Sequence, residues 1–332
     1  MKYLFISIFL FSYLNGQEKT FTISFGSCHK HNKPESDQIL EAIATENPNV
    51  FIWLGDVVYG KDGDAADLTA KYNQLKTKSS YQKLLQQTKV LAIWDDHDYG
   101  INNGGSNYKN KTKSLIDFGA FANLNNAEEI VRRGGAYQHY EFTQNDVKIS
   151  ITLLDNRFFR TPYLGEKIAG QISNTQGVLL GDQQWRWLEN VLKNSTANIH
   201  IFGGGIQFLS NKHRFEKWAN YPQERMRFLS LLKKYQIKTP IFLSGDRHHS
   251  ELSILKEKDI VLADITSSGM TEAISWNSKE PNPYRIGEVV TQNSYASLTV
   301  DLNTLKSIVS FHDIRGEKIT SKELELAMIG SD

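Results

Sequence analysis

VFIWLGD, residues 50–56, is a short apolar run rich in β-branched and aromatic residues that ends abruptly at a glycine and an aspartate. Such a run predicts a strand that is buried on both faces, as in the centre of a parallel sheet. The same pattern recurs along the chain. It is found in FTISFGSC (21–28), VLAIWDDHD (90–98), ISITLLDNR (149–157), IHIFGGG (199–205) and PIFLSGDRHH (240–249).

Amphipathic segments lie between several of these strands. Apolar residues recur at helical spacing in SDQILEAIATEN (36–47), YQKLLQQT (81–88), GDQQWRWLENVLKN (181–194) and ERMRFLSLLKKYQ (224–236). Alternating strands and helices predict an α/β architecture. VVTQNSYASLTVDL (289–302) and SIVSFHDIRGEKI (307–319) predict a late hairpin or meander, so we expect mixed sheets. Residues 106–126 and 161–177 are predicted to form long loops over one edge.

The N-terminal segment and the composition bound the functional class. MKYLFISIFLFSYLNGQ begins with one lysine, continues as a short apolar run and has a small residue at Gly16. This pattern predicts a signal peptide over 1–16 and a secreted or periplasmic protein, with a buried N-terminal strand as the alternative. Residues 17–332 contain no linker, repeat or transmembrane run and are predicted to form one domain. A formal net charge of +1, with both signs interspersed, argues against a nucleic-acid-binding surface.

Polar side chains follow the predicted central strands at their carboxyl ends. They are Cys28, Asp56, Asp96, Asp155 and Asp246. In open α/β sheets ligands bind at that edge, and unpaired carboxylates would repel one another there, so the sequence predicts a cation site. Taken alone, Asp56 is equally typical of a turn. The only cysteine of the chain, Cys28, is by itself typical of a buried small hydrophobe, or of a nucleophile if a base lies nearby.

Six motifs in a fixed order carry a family resemblance. They are FGSC (25–28), WLGDVVY (53–59), WDDHDYGINN (94–103), LDNRFFR (154–160), GDQQWRWL (181–188) and LSGDRHHSEL (243–252). The chain resembles the PhoD-like alkaline phosphatases of the metallophosphoesterase, or calcineurin-like, superfamily. The resemblance implies a four-layer α/β/β/α sandwich with a two-metal site at the strand ends. The chain is shorter than typical members, and we expect it to lack their extra N-terminal β domain.

The candidate ligands sort into two sites by their chemistry. Cys28, Tyr59 and His248 would share one cation with Asp56. A thiolate and a phenolate together favour a strong Lewis acid, because a free tyrosine has a pKa of about 10. Fe³⁺ is the natural candidate, as in the purple acid phosphatases, whose GDxxY spacing is similar.

The second cation would be held by Asp96, Asp246 and the shared Asp56. Three carboxylates form a hard site that favours Ca²⁺, Mg²⁺ or Mn²⁺ over zinc, and the resemblance implies Ca²⁺. The five acidic ligands of both sites would carry minus five charges when ionised, which Fe³⁺ and a divalent cation would balance. FGGGIQFLS (202–210) lacks the metal-binding histidine that the wider superfamily has in this region, and Gln207 is the nearest polar candidate.

Further candidates surround the two cations. The superfamily's Asn-His motif implies that His97 stabilises the transition state or donates a proton to the leaving group. Arg157 and Arg160 follow Asp155 and have guanidinium groups that suit phosphate oxygens. We expect one arginine to be a surface charge, and we assign Arg157 to catalysis and Arg160 to substrate binding. Asp155 and Asp95 are expected to orient these groups.

Asn102, Asn103 and Gln207 are expected to contact substrate. The implied reaction is hydrolysis of a phosphoester by a metal-bound hydroxide, with a phosphomonoester as the first choice and phosphodiesters left open. A phospholipase D-like activity on lipid or cell-wall phosphodiesters is the closest alternative. Two more distant alternatives are a binding protein that keeps the scaffold and a cysteine hydrolase that uses Cys28. The sequence leaves the oligomeric state open.

Overall fold

The structure, a computed structural model, describes residues 19–124, 127–164 and 172–324, apart from the side chains of residues 277 and 278. The predicted signal peptide, residues 1–16, lies outside the described residues. The described strands are β1 (Thr20–Gly26), β2 (Val50–Leu54), β3 (Lys89–Ile93), β4 (Gln138–Gln144), β5 (Val147–Leu153), β6 (Ile199–Gly204), β7 (Ile241–Ser244), β8 (Ser250–Glu257), β9 (Ile260–Ser267), β10 (Arg285–Val290), β11 (Ser294–Asp301), β12 (Ser307–Asp313) and β13 (Lys318–Leu324).

Helices connect and cover these strands. The α-helices in the described ranges are α1 (Pro34–Glu46), α2 (Ala65–Thr77), α3 (Ser79–Gln87), α4 (Asp96–Tyr99), α5 (Lys111–Phe121), α6 (Ala127–Arg133), α7 (Gly181–Asn194) and α8 (Pro222–Lys234). Short 3₁₀ turns span Trp218–Asn220 and Ser275–Lys279. None of the helices in the described part of the chain is long and apolar enough to cross a membrane.

The strands form two mixed sheets. The first has the order β13-β12-β11-β1-β2-β3, and the second has the order β10-β8-β9-β7-β6-β5-β4. Strands β1 to β3 are parallel, and so are β5, β6, β7 and β9. The remaining pairs are antiparallel, including the hairpin of β11 with β12. The predictions of mixed sheets and of a late hairpin are therefore confirmed.

The two sheets pack face to face, and helices cover their outer faces. In β6, Ile201 belongs to the core between the sheets, whereas Phe202 packs with side chains of α7 and α8. In β7, Leu243 points inward and Phe242 points outward in the same way. Successive side chains of a strand point to opposite faces, so a strand between two apolar layers must be apolar throughout. The predicted four-layer α/β/β/α sandwich is confirmed.

The loop prediction for residues 106–126 was wrong, because α5 occupies Lys111–Phe121. The helix packs through Phe118, whose ring centroid lies 5.4 Å from that of Trp94. The helical periodicity of the sequence is weak here, because the helix starts with polar residues and contains Gly119. The contact with Trp94 stabilises the helix. In residues 161–177, the described part holds an isolated bridge between Leu164 and Ile172.

The carboxyl ends of the parallel strands of both sheets lie side by side. The backbone N of Gly269, which follows β9, donates to the carbonyl of Ser27, which follows β1, over 3.2 Å. The backbone N of His29 donates to the carbonyl of Asp56, which follows β2, over 2.9 Å. The polar residues that follow these strands are thereby brought to one cleft.

Candidate metal centre

Four of the predicted ligands lie in turns with a left-handed backbone. The φ angle is 55° at Cys28, 50° at Asp56, 66° at Asp246 and 55° at His248. Residues with a Cβ avoid this region, and holding one there costs on the order of 1–3 kcal/mol. Strain of this kind concentrates at functional sites, and four of the eleven described non-glycine residues with positive φ belong to the predicted ligand set.

Two glycines allow the turns to pack closely. A Cβ on Gly55, which has a φ of 90°, would collide with Asp95. A Cβ on Gly245 would collide with the carbonyl oxygen of Leu54. These are the glycines of the Gly-Asp pairs at 55–56 and 245–246, so each motif needs its glycine for steric reasons as well as its aspartate for chemistry.

Cys28, Asp56 and Tyr59 converge as the sequence predicts. The Cys28 thiol donates to Asp56 Oδ2 over 3.4 Å, and the Tyr59 hydroxyl donates to the same oxygen over 3.1 Å. Burial, followed by the effect of Asp56, raises the pKa of Cys28 and the pKa of Tyr59 well above their usual values. These acids therefore ionise only beside a strong positive charge, and their convergence fits the binding of a cation.

His248 joins this group from the loop between β7 and β8. Its ring Nδ1 lies 2.6 Å from the carbonyl oxygen of Glu272, which can only accept, so Nδ1 carries the proton and Nε2 keeps a lone pair for a cation. Its backbone N donates to Ser268 Oγ over 2.7 Å, and Ser268 Oγ donates to Cys28 Sγ over 3.1 Å. Ser268 thus connects two predicted ligands. No motif in the sequence indicates it, because it follows β9, a strand that was not predicted.

A cavity of about 490 Å³ opens over these groups and is lined by Asp56, Asp96, His97, Asp246 and His248 among others. Ligand atoms of Asp56, Asp96 and His97 lie within 4.8 Å of one another, a spacing that could hold a metal ion. Asp56 Oδ2 faces the thiol and the phenol, while Oδ1 lies 3.3 Å from the backbone N of His97. Asp56 therefore stands between the two predicted sites.

Burial governs the ionisation of the cavity carboxyls. It raises the pKa of Asp56 well above its usual value and the pKa of Asp246 to about 8. Asp96 differs. Burial raises its pKa too, but the charges of Arg157 and His97, with hydrogen bonds to the Asn103 backbone and to Asp56, together lower it to about 2. Since the three carboxyls do not ionise together without compensation, full ionisation of the set calls for cations.

A carboxyl that the sequence did not indicate lies beside Asp246. Ligand atoms of Asp95, Glu216 and Asp246 all lie within 4.8 Å of one another. Glu216 is buried and comes from the segment between β6 and α8, where RFEKW has neither periodicity nor a recognisable motif. It brings a carboxyl group to the second predicted cation site, for which Gln207 was the nearest polar candidate in the sequence.

Gln207 itself is placed away from the cavity, which corrects the expectation that it contacts substrate. Its Nε2 donates to Glu251 Oε1 over 2.7 Å and to Thr266 Oγ1 over 2.8 Å. The side chain is buried in this polar cluster between β8 and β9. Gln207 therefore stabilises the sheet from within.

Arg157 and Arg160 are both fully buried, which corrects the expectation that one is a surface charge. Arg157 Nε donates to Asp95 Oδ1 over 2.7 Å, and its Nη2 donates to Glu216 Oε2. Arg157 is not among the described residues that line the cavity. Its geometry is that of a positioning residue, which holds two carboxylates, rather than that of a phosphate ligand.

Arg160 fixes the loop that carries Asn102 and Asn103. Its Nη2 donates to the Asn103 carbonyl over 2.6 Å, and its guanidinium lies 4.0 Å from the centre of the Tyr163 ring. The backbone N of Asn103 in turn donates to Asp96 Oδ2 over 2.7 Å. Asn102 and Asn103 both line the cavity, as expected of substrate contacts, whereas Arg160 acts on their loop.

Asp155 closes the turn that follows β5. Its Oδ1 accepts from the backbone N of Arg157 over 2.7 Å and of Phe158 over 2.9 Å, and its Oδ2 accepts from the N of Ala136 over 2.8 Å. It therefore positions Arg157 through the backbone. Asp95 positions the same arginine through its side chain.

A family model described as "PhoD-like phosphatase" matches residues 23–311. The chain belongs to the PhoD-like phosphatase family. Alkaline phosphatase D of Bacillus subtilis (strain 168) is 23% identical over an alignment of 286 positions, which covers 70% of this chain and 47% of that protein. This PhoD-like chain thus spans about half the length of the curated relative that it matches.

Solved structures share the fold of this PhoD-like chain. A structure of PhoD has a TM-score of 0.68 at 17% identity. The match covers 95% of this chain and 73% of the PhoD chain. GAP50, described as the anchor in the inner membrane complex of Plasmodium, has a TM-score of 0.62 at 14% identity, covering 95% and 91%. A dimetal phosphatase from Danio rerio has a TM-score of 0.54 at 13% identity, covering 92% and 99%. At these identities the likeness concerns the fold.

Proposed function

We propose that this PhoD-like chain hydrolyses phosphoesters at a two-cation centre, as a phosphomonoesterase of the alkaline phosphatase type. The observation that carries the proposal is the convergence of Cys28 and Tyr59 on one oxygen of Asp56, which also lines a cavity with Asp96 and Asp246. A purely structural carboxyl needs neither two further acids at one oxygen nor a place on a cavity wall.

The donor set fits two different cations. The thiol of Cys28, the phenol of Tyr59 and the imidazole of His248 favour Fe³⁺, with the shared aspartate as the fourth group. Asp96 and Asp246 favour a hard cation, for which we propose Ca²⁺, with Mg²⁺ or Mn²⁺ as alternatives. Bound there, the cations would polarise the phosphoryl oxygens and supply the activated water that attacks phosphorus.

The surroundings of His97 support a role in proton transfer to the leaving oxygen. This residue lines the cavity, and its backbone N donates a hydrogen bond to Asp56, so Asp56 fixes the position of His97. Its ring lies 4.1 Å, between centroids, from that of Tyr59, which restricts the plane of the imidazole. We assign it proton donation to the leaving alcohol or stabilisation of charge in the transition state.

A non-catalytic role is the alternative from a different class. GAP50 shares the fold and is named as an anchor, so the fold by itself does not decide between catalysis and binding. The predicted donors of both cations are all present in this chain, which favours catalysis. A phospholipase D-like activity is the alternative within catalysis, and the cavity of about 490 Å³ favours smaller esters over it.

We also propose that the chain works outside the cytoplasm as a single domain. The apolar run in residues 1–16 supports export. One core cluster includes Phe21 of β1 and Leu324 of β13, so the first and last described strands share a core, which supports a single domain.

The test is a metal analysis combined with two assays. The purified chain should contain iron and a divalent cation, and it should hydrolyse p-nitrophenyl phosphate faster than bis-p-nitrophenyl phosphate. EGTA should remove the activity, and Ca²⁺ should restore it. Full activity in a preparation that holds neither iron nor a divalent cation would refute the proposal. Faster hydrolysis of the diester would make the chain a phosphodiesterase instead.

A further inference from the structure

We propose that the cavity selects phosphoesters whose alcohol carries a flat aromatic ring, such as a nucleoside. This substrate class rests on the proposed function and goes beyond it. It starts from a part of the cavity that phosphate hydrolysis does not require. That part is an apolar wall formed by Pro162, Tyr163, Phe215, Ile274 and Trp276.

Trp276 is the member of this wall that is free to stack on a ligand. It lines the cavity and yet exposes 54% of its surface. Its ring centroid lies 5.9 Å from that of Phe215, at an interplanar angle of 39°. Phe215 is contacted by the guanidinium groups of Arg247, at 4.6 Å, and Arg214, at 5.2 Å from its centre. Phe215 therefore supports Trp276, whose exposed surface can receive a planar ring.

The segment that carries Trp276 is tied to the metal centre. The backbone N of Ile274 donates to the carbonyl of His248 over 2.7 Å, and His248 Nδ1 donates to the carbonyl of Glu272 over 2.6 Å. Lys30 forms an ion pair with Glu272 at 2.8 Å. The backbone just before the indole is therefore anchored beside His248, a proposed cation ligand, and such anchoring favours a selective substrate contact.

The polar groups beside Trp276 favour a nucleoside over an acyl chain. Arg214, Asn102 and Asn107 line the same cavity as the indole. The ring nitrogens and hydroxyls of a nucleoside can pair with such groups, whereas an acyl chain offers them no hydrogen-bond partner. A cavity of about 490 Å³ is also of the size that encloses a small organic ligand.

The experiment compares adenosine 5′-monophosphate with ribose 5-phosphate on the metal-loaded chain. The two esters have the same primary alcohol as leaving group and differ by the base. We expect the wild type to have a higher kcat/KM for the nucleotide, and we expect Trp276→Ala to lower the ratio of the two values by about 10-fold. Trp276→Phe should keep most of the preference. Met226→Ala is the control, because Met226 is 52% exposed on α8 and does not line the cavity.

Each contrary result has a separate meaning. Equal kcat/KM for the two esters in the wild type, or a ratio that Trp276→Ala does not change, overturns the inference and leaves the proposed function intact. An equal loss on octyl phosphate, a flexible apolar ester, also overturns it, because the wall would then recognise apolar area rather than a flat ring. If no ester is hydrolysed, the proposed function fails. Calorimetry with adenosine 5′-monophosphate and ribose 5-phosphate then tests the inference. It requires that the nucleotide binds more tightly, and that Trp276→Ala abolishes this difference.

Discussion

Cys28 Sγ and Asp56 Oδ2 lie 3.4 Å apart, although the two residues follow different strands of the first sheet. A nucleophilic cysteine needs a lowered pKa, which a nearby positive charge or a base supplies. Burial and the Asp56 carboxyl do the opposite here and raise the pKa of Cys28. The pairing therefore argues against a cysteine hydrolase and for a thiol that ionises when a cation binds.

Cys28→Ser should lose iron and keep the divalent cation, because a serine hydroxyl ionises far less readily than a thiol. Elemental analysis and the visible absorption of the iron centre check this outcome. A cysteine hydrolase predicts the reverse pattern, in which both metals stay and the activity disappears. Alkylation with iodoacetamide gives an independent comparison, since a thiol held by a cation should react more slowly in the metal-loaded chain than in the metal-free chain.

Asp246→Asn should empty the divalent site while iron stays bound, since the amide removes the negative charge that holds a hard cation. Asp264→Asn is a matched control. Asp264 is also a buried carboxyl, but it accepts from the backbone N of Phe208 and Leu209 over 2.9 and 2.8 Å and from the Ser244 hydroxyl over 2.8 Å. The control should keep both metals. Equal loss of iron and divalent cation from Asp246→Asn would contradict the division into two sites.

His97→Gln should lower kcat by about 100- to 10,000-fold while both metals are retained. If His97 protonates the leaving oxygen, the loss should be larger for phenyl phosphate than for p-nitrophenyl phosphate, because p-nitrophenolate departs with less need of a proton. Equal losses would instead assign His97 to the stabilisation of charge. A variant with wild-type kcat on both esters would exclude either role.

Arg157→Met should lower the free energy of unfolding by about 3–5 kcal/mol, because it leaves the buried carboxylate of Asp95 without its counterion and leaves Glu216 with only Arg160, at 3.6 Å. Urea unfolding measures the change. Arg227→Ala is the surface comparison, since Arg227 is exposed and lies 3.7 Å from Asp182. It should cost less than about 1 kcal/mol. Similar costs for the two variants would show that Arg157 does not hold the carboxylates together.

His29 should make the chain less stable in acid. Burial lowers its pKa from 6.5 to about 4 in the folded chain, and its nitrogens are bonded to Ser36 Oγ, at 2.8 Å, and to the carbonyl of Val57, at 3.0 Å. Between those pH values the unfolded chain binds a proton that the folded chain does not, so stability falls as the pH falls through this window. His29→Gln should reduce that slope in denaturant unfolding. An unchanged slope would assign the acid sensitivity to other groups.

The central strands and the grouping of the candidate ligands at their ends were predictable because each depends on a short local pattern. A short apolar run such as residues 50–54 is most often a buried strand, and the Gly-Asp pair that follows it indicates where the strand ends. The order of the motifs then supplied the ligand set. His29, which follows Cys28 directly, is buried and hydrogen-bonded within the fold.

The rest depends on contacts between distant parts of the chain. Glu216 is significant only because its segment folds back onto Asp95 and Asp246, and Ser268 only because β9 ends beside β1. Burial of both arginines could not be foreseen either. A guanidinium is usually exposed unless carboxylates compensate it, and the compensating Glu216 lies 59 residues away from Arg157.

The left-handed turns at Cys28, Asp56, Asp246 and His248 set the stability of the fold against the proposed metal binding. Glycine would occupy each of these backbone positions with less strain, so the fold alone would favour the loss of its own ligands. Selection for heat resistance alone would therefore favour glycine at these four positions and yield a folded sandwich without its proposed metal ligands. Binding of the proposed cations to the folded chain would reverse that preference, since it would compensate for the strain that these turns retain.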